Sequence, residues 1–215
     1  MQATSIRISE IFFSIQGESS FIGLPTVFIR LTGCPLRCHY CDTEYAFSGG
    51  LLLDIDQIIC QTTHYNTPYV TVTGGEPLAQ ENTPVLLDKL VDAGYRVSLE
   101  TSGAIDISKV NMRVIKIMDI KTPDSGEVEK NLYKNIESLN QTDEIKFVIC
   151  SDDDYEWSKK IVTKYQLTDL CGVLFSPSYN QYPAVDLAQR ILDDQLQVRF
   201  QMQLHKALWK DTQGR

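Results

Sequence analysis

The sequence predicts an α/β protein: an open parallel sheet wound as a partial barrel of the (β/α)6 type, with one extension strand at its N-terminus. Three observations carry this. Short aliphatic and β-branched runs alternate with amphipathic helical runs from Val27 to Leu192, and such alternation implies right-handed crossovers between parallel strands. About six strand–helix units can be counted from Val27, fewer than the eight that close a TIM barrel. The 215 residues, 43% hydrophobic and 22% charged, suit one domain over residues 1–215 with a full core of its own.

In chain order, Ser5 to Phe13 alternates apolar residues (Ile6, Ile8) and then becomes continuously apolar, which marks a strand. The polar, glycine-containing stretch Ser14 to Ser20 reads as a hairpin connection. Val27 to Leu31 is the next strand, interrupted only by Arg30. A guanidinium in such a run lies at a rim or faces an anion, because burying it unpaired is costly. The anion is favoured, since this strand leads straight into Gly33-Cys34.

Gly49-Gly50 marks a turn, and Asp54 caps an amphipathic helix through Ile55, Ile58 and Ile59. Tyr69 to Thr73 is a strand. Thr83 as N-cap, Pro84 as first helical residue, the apolar Leu86, Leu87, Leu90 and Val91, and a closing Gly94 define the next helix. Arg96 to Glu100, Val114 to Ile120, Ile145 to Cys150 and Gly172 to Phe175 are further strands. Ser151 caps a helix reaching about Tyr165, with Asp152, Asp153 and Asp154 at the positive end of its dipole. Ala184 to Leu192 is another helix, and Asn131 to Leu139 a weaker one.

Composition excludes several classes. No apolar run approaches the roughly 18–20 residues that span a bilayer. A net charge of -8 opposes a general nucleic-acid surface, which needs a basic face to displace counterions from phosphates. A small-molecule substrate or a protein electron donor fits better. The N-terminus has no signal-peptide pattern, so a reducing, cytoplasmic compartment is expected, with the six cysteines unpaired.

Three of those cysteines, Cys34, Cys38 and Cys41, fall within G-C-P-L-R-C-H-Y-C-D-T. Iron–sulfur clusters are commonly held by four cysteine thiolates, so three close together imply a cluster with one iron left open for chemistry. A structural zinc site would need four ligands; His39 is the only nearby candidate for a fourth and is wedged between two of the others. Cys60, Cys150 and Cys171 stand alone and read as small buried hydrophobes. Thr73-Gly74-Gly75-Glu76-Pro77 leaves a strand toward the face where parallel α/β folds bind ligands. Its glycines admit close backbone approach, and Glu76 offers a carboxylate to an ammonium; taken alone, the stretch is also compatible with a tight turn. Glu100-Thr101-Ser102-Gly103 and Asp119-Ile120-Lys121-Thr122-Pro123 leave strands toward the same face, where such residues also serve as ordinary turn chemistry.

The C-x3-C-x2-C spacing with Tyr40 before the last cysteine, followed by T-G-G-E-P, resembles the radical S-adenosylmethionine (SAM) superfamily. That resemblance implies a 4Fe-4S cluster on Cys34, Cys38 and Cys41, with SAM chelating its open iron. It places the methionine amino group at Gly74, Gly75 and Glu76. It also implies SAM contacts from Tyr40, Cys41, Asp42, Glu100, Thr101, Asp119 and Lys121, with Ser176 as a weaker candidate on the adenine side, in the Ser176 to Tyr179 segment.

Added to these, E-I-F-F-S-I-Q-G-E at Glu10 to Glu18, F-I-R-L-T-G-C from Phe28, C-D-T at Cys41 to Thr43 and Q-L-H-K at Gln203 to Lys206 resemble the 7-carboxy-7-deazaguanine synthase family over nearly the whole chain. The resemblance implies conversion of 6-carboxytetrahydropterin to 7-carboxy-7-deazaguanine with loss of ammonia, in queuosine and 7-deazapurine synthesis. It further implies Mg2+ on Thr43, a homodimer, and a donor such as flavodoxin or ferredoxin. Substrate contacts fall on Ile15, Gln16, Gly17, Glu18, Arg30, Thr73, Gln203 and His205. The family usually reads Q-G-E-G, whereas Ser19 follows Glu18 here. Two other readings compete: an activating enzyme that installs a glycyl radical on a partner protein, and a non-catalytic iron–sulfur carrier or redox sensor. The Q-G-E loop and Q-L-H-K tail speak against the first, and T-G-G-E-P against the second.

Overall fold

The computed structural model describes residues 4–210 and 212–214. Its described residues form one nine-stranded sheet in the order β3-β1-β2-β4-β5-β6-β7-β8-β9. The strands are β1 (Ser5–Ile15), β2 (Pro25–Leu31), β3 (Leu51–Asp54), β4 (Tyr69–Gly74), β5 (Arg96–Thr101), β6 (Ile115–Asp119), β7 (Glu144–Ile149), β8 (Gly172–Pro177) and β9 (Arg199–Phe200). From β2 through β4 to β9 neighbours run parallel, while β1 is antiparallel to both β2 and β3. The open parallel sheet with an N-terminal extension is therefore present. Two short strands, β3 and β9, were not legible in the sequence.

The helices are α1 (Ile55–Thr62), α2 (Thr83–Asp92), α3 (Asp152–Lys164), α4 (Leu167–Leu170), α5 (Ala184–Asp193) and α6 (Leu204–Trp209). Six long parallel strands match the expected number, but not every crossover carries an α-helix. The β5–β6 connection has no helix, and β6–β7 has only 3-10 turns, the weak helical pattern near Asn131 becoming the turn Tyr133–Ser138. Helix α2 starts one residue earlier than its capping pattern suggests. Asn82 takes the N-cap position, and the Thr83 hydroxyl instead donates to Pro77 O at 2.5 Å. The Asp54 cap of α1 is reinforced by Gln57, whose side chain accepts from Asp54 N at 3.0 Å, and Ser151 caps α3 as expected.

Two apolar clusters hold these layers together. Ile55, Ile58, Leu86, Leu87 and Leu90 pack α1 and α2 onto β1, β2, β4 and β5 through Ile6, Val27, Ile29, Val70, Val72 and Leu99. Tyr155, Ile161, Leu167, Leu187 and Ile191 pack α3 to α5 onto β7 and β8 through Ile145, Phe147, Val173 and Phe175. Each fully buried side chain of this size contributes roughly 1.5–3 kcal/mol. No helix among the described residues is long and apolar enough to cross a membrane. Of the isolated cysteines, Cys171 is buried as expected, but Cys150 is half-buried and Cys60 is exposed on α1, because Cys60 falls off the apolar stripe of Ile55 and Ile58.

Candidate functional site

Successive strand side chains point to opposite faces of a sheet, and this alternation builds the site. One face supplies the cores just described. The other turns Phe28 and Arg30 of β2, Thr73 of β4, Glu100 of β5, Ile117 and Asp119 of β6, and Lys146 and Val148 of β7 into a cavity of about 460 Å³. Of the residues singled out from the sequence, all line this cavity except Glu76 and Ser176.

The cysteine loop leaves β2 and enters the cavity at one end. Gly75 is the reason it can lie so close to the strand ends: a Cβ there would run into the Gly33 carbonyl and the Cys34 side chain. Glu76 N donates to Gly33 O at 2.8 Å, tying the two loops together. Cys34, Cys38 and Cys41 are free and half-buried, and burial pushes all three thiols up. His39 is held against the turn after β6, its Nδ1 lying 3.1 Å from Asp124 O. Among the described residues no three His, Cys, Asp or Glu side chains converge on one ion position. Cys34, Cys38 and Cys41 all line the cavity wall, and cysteine thiolates are the usual ligands of iron–sulfur clusters.

Beside this loop, Lys121 Nζ pairs with Asp119 Oδ2 at 2.8 Å and lies 5.7 Å from the Tyr40 ring centre. Burial works to raise the Asp119 carboxyl, but Lys121 and then Lys146 bring it below the usual carboxylate range. Its Oδ1 is buried without a hydrogen-bond partner, with Lys146 Nζ 3.4 Å away. Glu76 lies behind the cavity wall. Its fully buried carboxylate accepts from Leu78 N at 2.9 Å, Thr101 Oγ1 at 2.9 Å, Ser102 N at 2.6 Å and Ser102 Oγ at 2.5 Å. It braces the ends of β4 and β5, while Gly74 and Gly75 line the cavity. Ser176 is buried and does not line the cavity, although it is in register with Val148, which does; Ser178 and Tyr179 reach the wall instead.

The opposite end is built from both ends of the chain. Gln16 Nε2 lies 3.3 Å from Glu100 Oε1, and Thr73 Oγ1 donates to Glu100 Oε2 at 2.8 Å. Glu100 is thus hydrogen-bonded to two of the residues expected to hold substrate. Burial raises the Glu100 carboxyl, Lys146 opposes this, and neighbouring Glu18 adds to it. Burial also works to raise Glu18, but Lys146 and His205 leave it lowered. Arg30 gives its Nε–H to Glu10 at 2.8 Å, with its guanidinium 5.7 Å from the Phe12 ring centre; the anion it meets within the chain is thus Glu10.

A C-terminal strap covers this end. Leu204 N donates to Gly17 O at 3.0 Å, Gln203 Nε2 to Glu18 Oε1 at 2.9 Å, and Ser19 N to Gln201 Oε1 at 2.6 Å. His205 packs where a Cβ on Gly17 would stand. Ser19 has φ of 63°, the left-handed conformation that favours glycine, which accounts for the glycine usual at this position. On the strap's far side Lys206 Nζ lies 3.2 Å from Asp42 Oδ2, and Asp42 Oδ1 accepts from Thr43 Oγ1 at 2.8 Å. Burial tends to raise Asp42, but the Thr43 hydroxyl and Lys206 lower it. Sequence reasoning missed Lys146, Lys206 and Gln201. Lys146 had the same signal as Arg30, a cation interrupting an apolar strand.

A sequence profile of the Radical SAM superfamily matches residues 28–166. The 7-carboxy-7-deazaguanine synthase of Chlorobaculum tepidum is 44% identical over 213 residues, covering 97% of each chain. The chain belongs to the 7-carboxy-7-deazaguanine synthase family. A second member, from Koribacter versatilis, is 40% identical across 97% of this chain and all of its own. Among solved structures, QueE from Escherichia coli superposes with a TM-score of 0.75 at 22% identity, covering 94% of this chain and 95% of that one. Streptococcus suis SuiB bound to S-adenosylmethionine gives 0.58 at 15% identity, covering 82% and 50%. These last two likenesses establish the fold alone. Membership of this radical SAM family implies a 4Fe-4S cluster and SAM, and the three half-buried cysteines beside a glycine-floored cavity fit both.

Proposed function

We propose that this chain, acting as one domain, converts 6-carboxy-5,6,7,8-tetrahydropterin to 7-carboxy-7-deazaguanine with loss of ammonia, the reaction of 7-deazapurine and queuosine synthesis. The observation that carries the proposal is the single cavity. It joins the Cys34–Cys38–Cys41 loop at one end to the Gln16, Glu18, Arg30, Glu100 and His205 group at the other, which is what a reaction between SAM and a second small molecule requires.

Cys34, Cys38 and Cys41 would hold the cluster, and Tyr40, Cys41, Asp42, Gly74, Gly75, Thr101, Asp119 and Lys121 would line the SAM site. When bound, cluster and SAM supply a 5′-deoxyadenosyl radical that takes hydrogen from C6 of the pterin, after which the ring contracts. The protein's own work is alignment and exclusion. Glu18, Glu100 and Gln16 offer acceptors to the N–H-rich pterin edge, an edge that leaves a buried carboxylate well matched. Arg30 counters the substrate carboxylate, local sign prevailing over the net charge of -8. The strap 201–206 closes the substrate end against water and other hydrogen donors.

Thr43 would offer Mg2+ its hydroxyl oxygen. Because that hydroxyl donates its proton to Asp42, its lone pairs remain for a cation, and Mg2+ commonly keeps the rest of its shell for water and substrate oxygens. We further read the protein as a cytoplasmic homodimer reduced by flavodoxin or ferredoxin, in keeping with six free cysteines. The test is anaerobic incubation of the reconstituted, reduced protein with SAM, Mg2+ and 6-carboxytetrahydropterin, with no partner protein present. The proposal expects 7-carboxy-7-deazaguanine by mass and ultraviolet spectrum. SAM cleavage only when a partner protein is added would favour a glycyl-radical activating enzyme, and a cluster whose spectrum ignores SAM would favour a carrier or sensor.

A further inference from the structure

Lys146 lies in the middle of β7, in register with Asp119 of β6. Its strand neighbours Ile145 and Phe147 enter the apolar core, so alternation turns Lys146 into the cavity. There its Nζ lies 2.6 Å from Glu18 Oε2 and 3.4 Å from Asp119 Oδ1. Asp119 continues to Lys121 at 2.8 Å, and Lys121 to the face of Tyr40. Four charges of alternating sign thus run from the loop between β1 and β2 to the cysteine loop. They join the two ends of the cavity, with Glu100 and His205 facing the chain from the sides.

Holding the fold does not need this arrangement, since a buried ion pair can often be replaced by apolar side chains without loss of stability. What an ammonium with three N–H donors provides between two carboxylates is shared orientation. The ammonium is unequally shared, closer to Glu18, and Asp119 Oδ1 is left without a hydrogen bond of normal length. A donor arriving at either carboxylate therefore resets the balance at the other.

We propose that Lys146 is a positioning residue that couples the two halves of the site. It fixes Glu18 for the pterin and Asp119 for SAM, so that each ligand preorganises the acceptor used by the other. The inference rests on the function proposed above. It adds that the two affinities are linked through one side chain, and linkage requires the effect to be mutual.

The experiment measures SAM affinity of the cluster-reconstituted full chain with and without 6-carboxytetrahydropterin, kept anaerobic and unreduced so that no turnover occurs. The native protein should bind SAM about 5-fold or more tightly when the pterin is present, the lower end of common coupling. Lys146→Met should bring that ratio to about 1, and Lys146→Arg should restore most of it; a merely structural role would move melting temperature and leave the ratio alone. Lys146→Gln serves if the methionine variant does not fold. A native ratio of 1, or a native-like ratio in Lys146→Met or Lys146→Gln, overturns the inference. A native protein that binds SAM but no carboxypterin overturns the function itself, which separates the two failures.

Discussion

Replacing Glu76 by glutamine tests whether its carboxylate braces the fold or receives the SAM ammonium. In the structure both carboxylate oxygens face a backbone N–H, Leu78 N on one side and Ser102 N on the other. Neither N–H can turn away, so the new amide NH2 must meet one of them donor to donor, with Thr101 and Ser102 hydroxyls also losing a charged acceptor. Loss of a charge-assisted hydrogen bond costs about 1.5–3 kcal/mol, and the orphaned buried donor adds about 1–3 kcal/mol. Roughly 3–5 kcal/mol follows, which for a chain of this size lowers Tm by roughly 10 °C. Thermal and urea melts of the iron-free protein, followed by circular dichroism under reductant, read this directly. The reasoning is refuted if Glu76→Gln melts within about 1 kcal/mol of native while SAM binding to the reconstituted protein collapses, for then the carboxylate serves the ligand and not the strands.

Four further outcomes are expected. Cys38→Ala should abolish the iron–sulfur absorption and the activity together, and an active variant would remove the cluster assignment. Thr43→Val should weaken Mg2+ dependence while leaving SAM binding near native; an unchanged Mg2+ titration would take Thr43 out of the site. Arg30→Gln should raise KM for the carboxypterin by roughly tenfold, about 1.4 kcal/mol, without bleaching the cluster, whereas an unchanged KM would leave Arg30 a partner of Glu10 only. At Ser19, whose left-handed backbone costs a non-glycine residue about 1–2 kcal/mol, Ser19→Gly should keep activity and melt at or above native temperature. Ser19→Val should lose stability there because a β-branched side chain fits that region poorly; equal stability of the two variants would contradict the strain.

The cores and the cavity wall were legible because both follow from period. Val70 and Val72 against Thr71 and Thr73, or Val97 and Leu99 against Ser98 and Glu100, announce one apolar and one polar face within a single strand. The same rule applied to β7 would have found Lys146, flanked by Ile145 and Phe147. What was not legible depends on contacts distant in sequence. Nothing near Glu76 says that the end of β5 will deliver Thr101 and Ser102 to its carboxylate, or that Gln16 will meet Glu100. Likewise Gln201 acts only because it reaches Ser19 across the whole length of the chain. Strand β9 has two residues, too few for any periodic signal.

The most direct test of one cavity serving both reactants is hydrogen transfer between them. Carboxypterin carrying deuterium at C6 should be turned over anaerobically with SAM, and the recovered SAM weighed by mass spectrometry. Product and ammonia together account for every hydrogen of the carboxypterin, so the hydrogen taken from C6 must be given back; if the cysteine end and the Glu18–Glu100 end hold their ligands in contact, deuterium is exchanged into the recovered SAM as 7-carboxy-7-deazaguanine forms. Product that forms while the SAM stays free of deuterium would contradict the account.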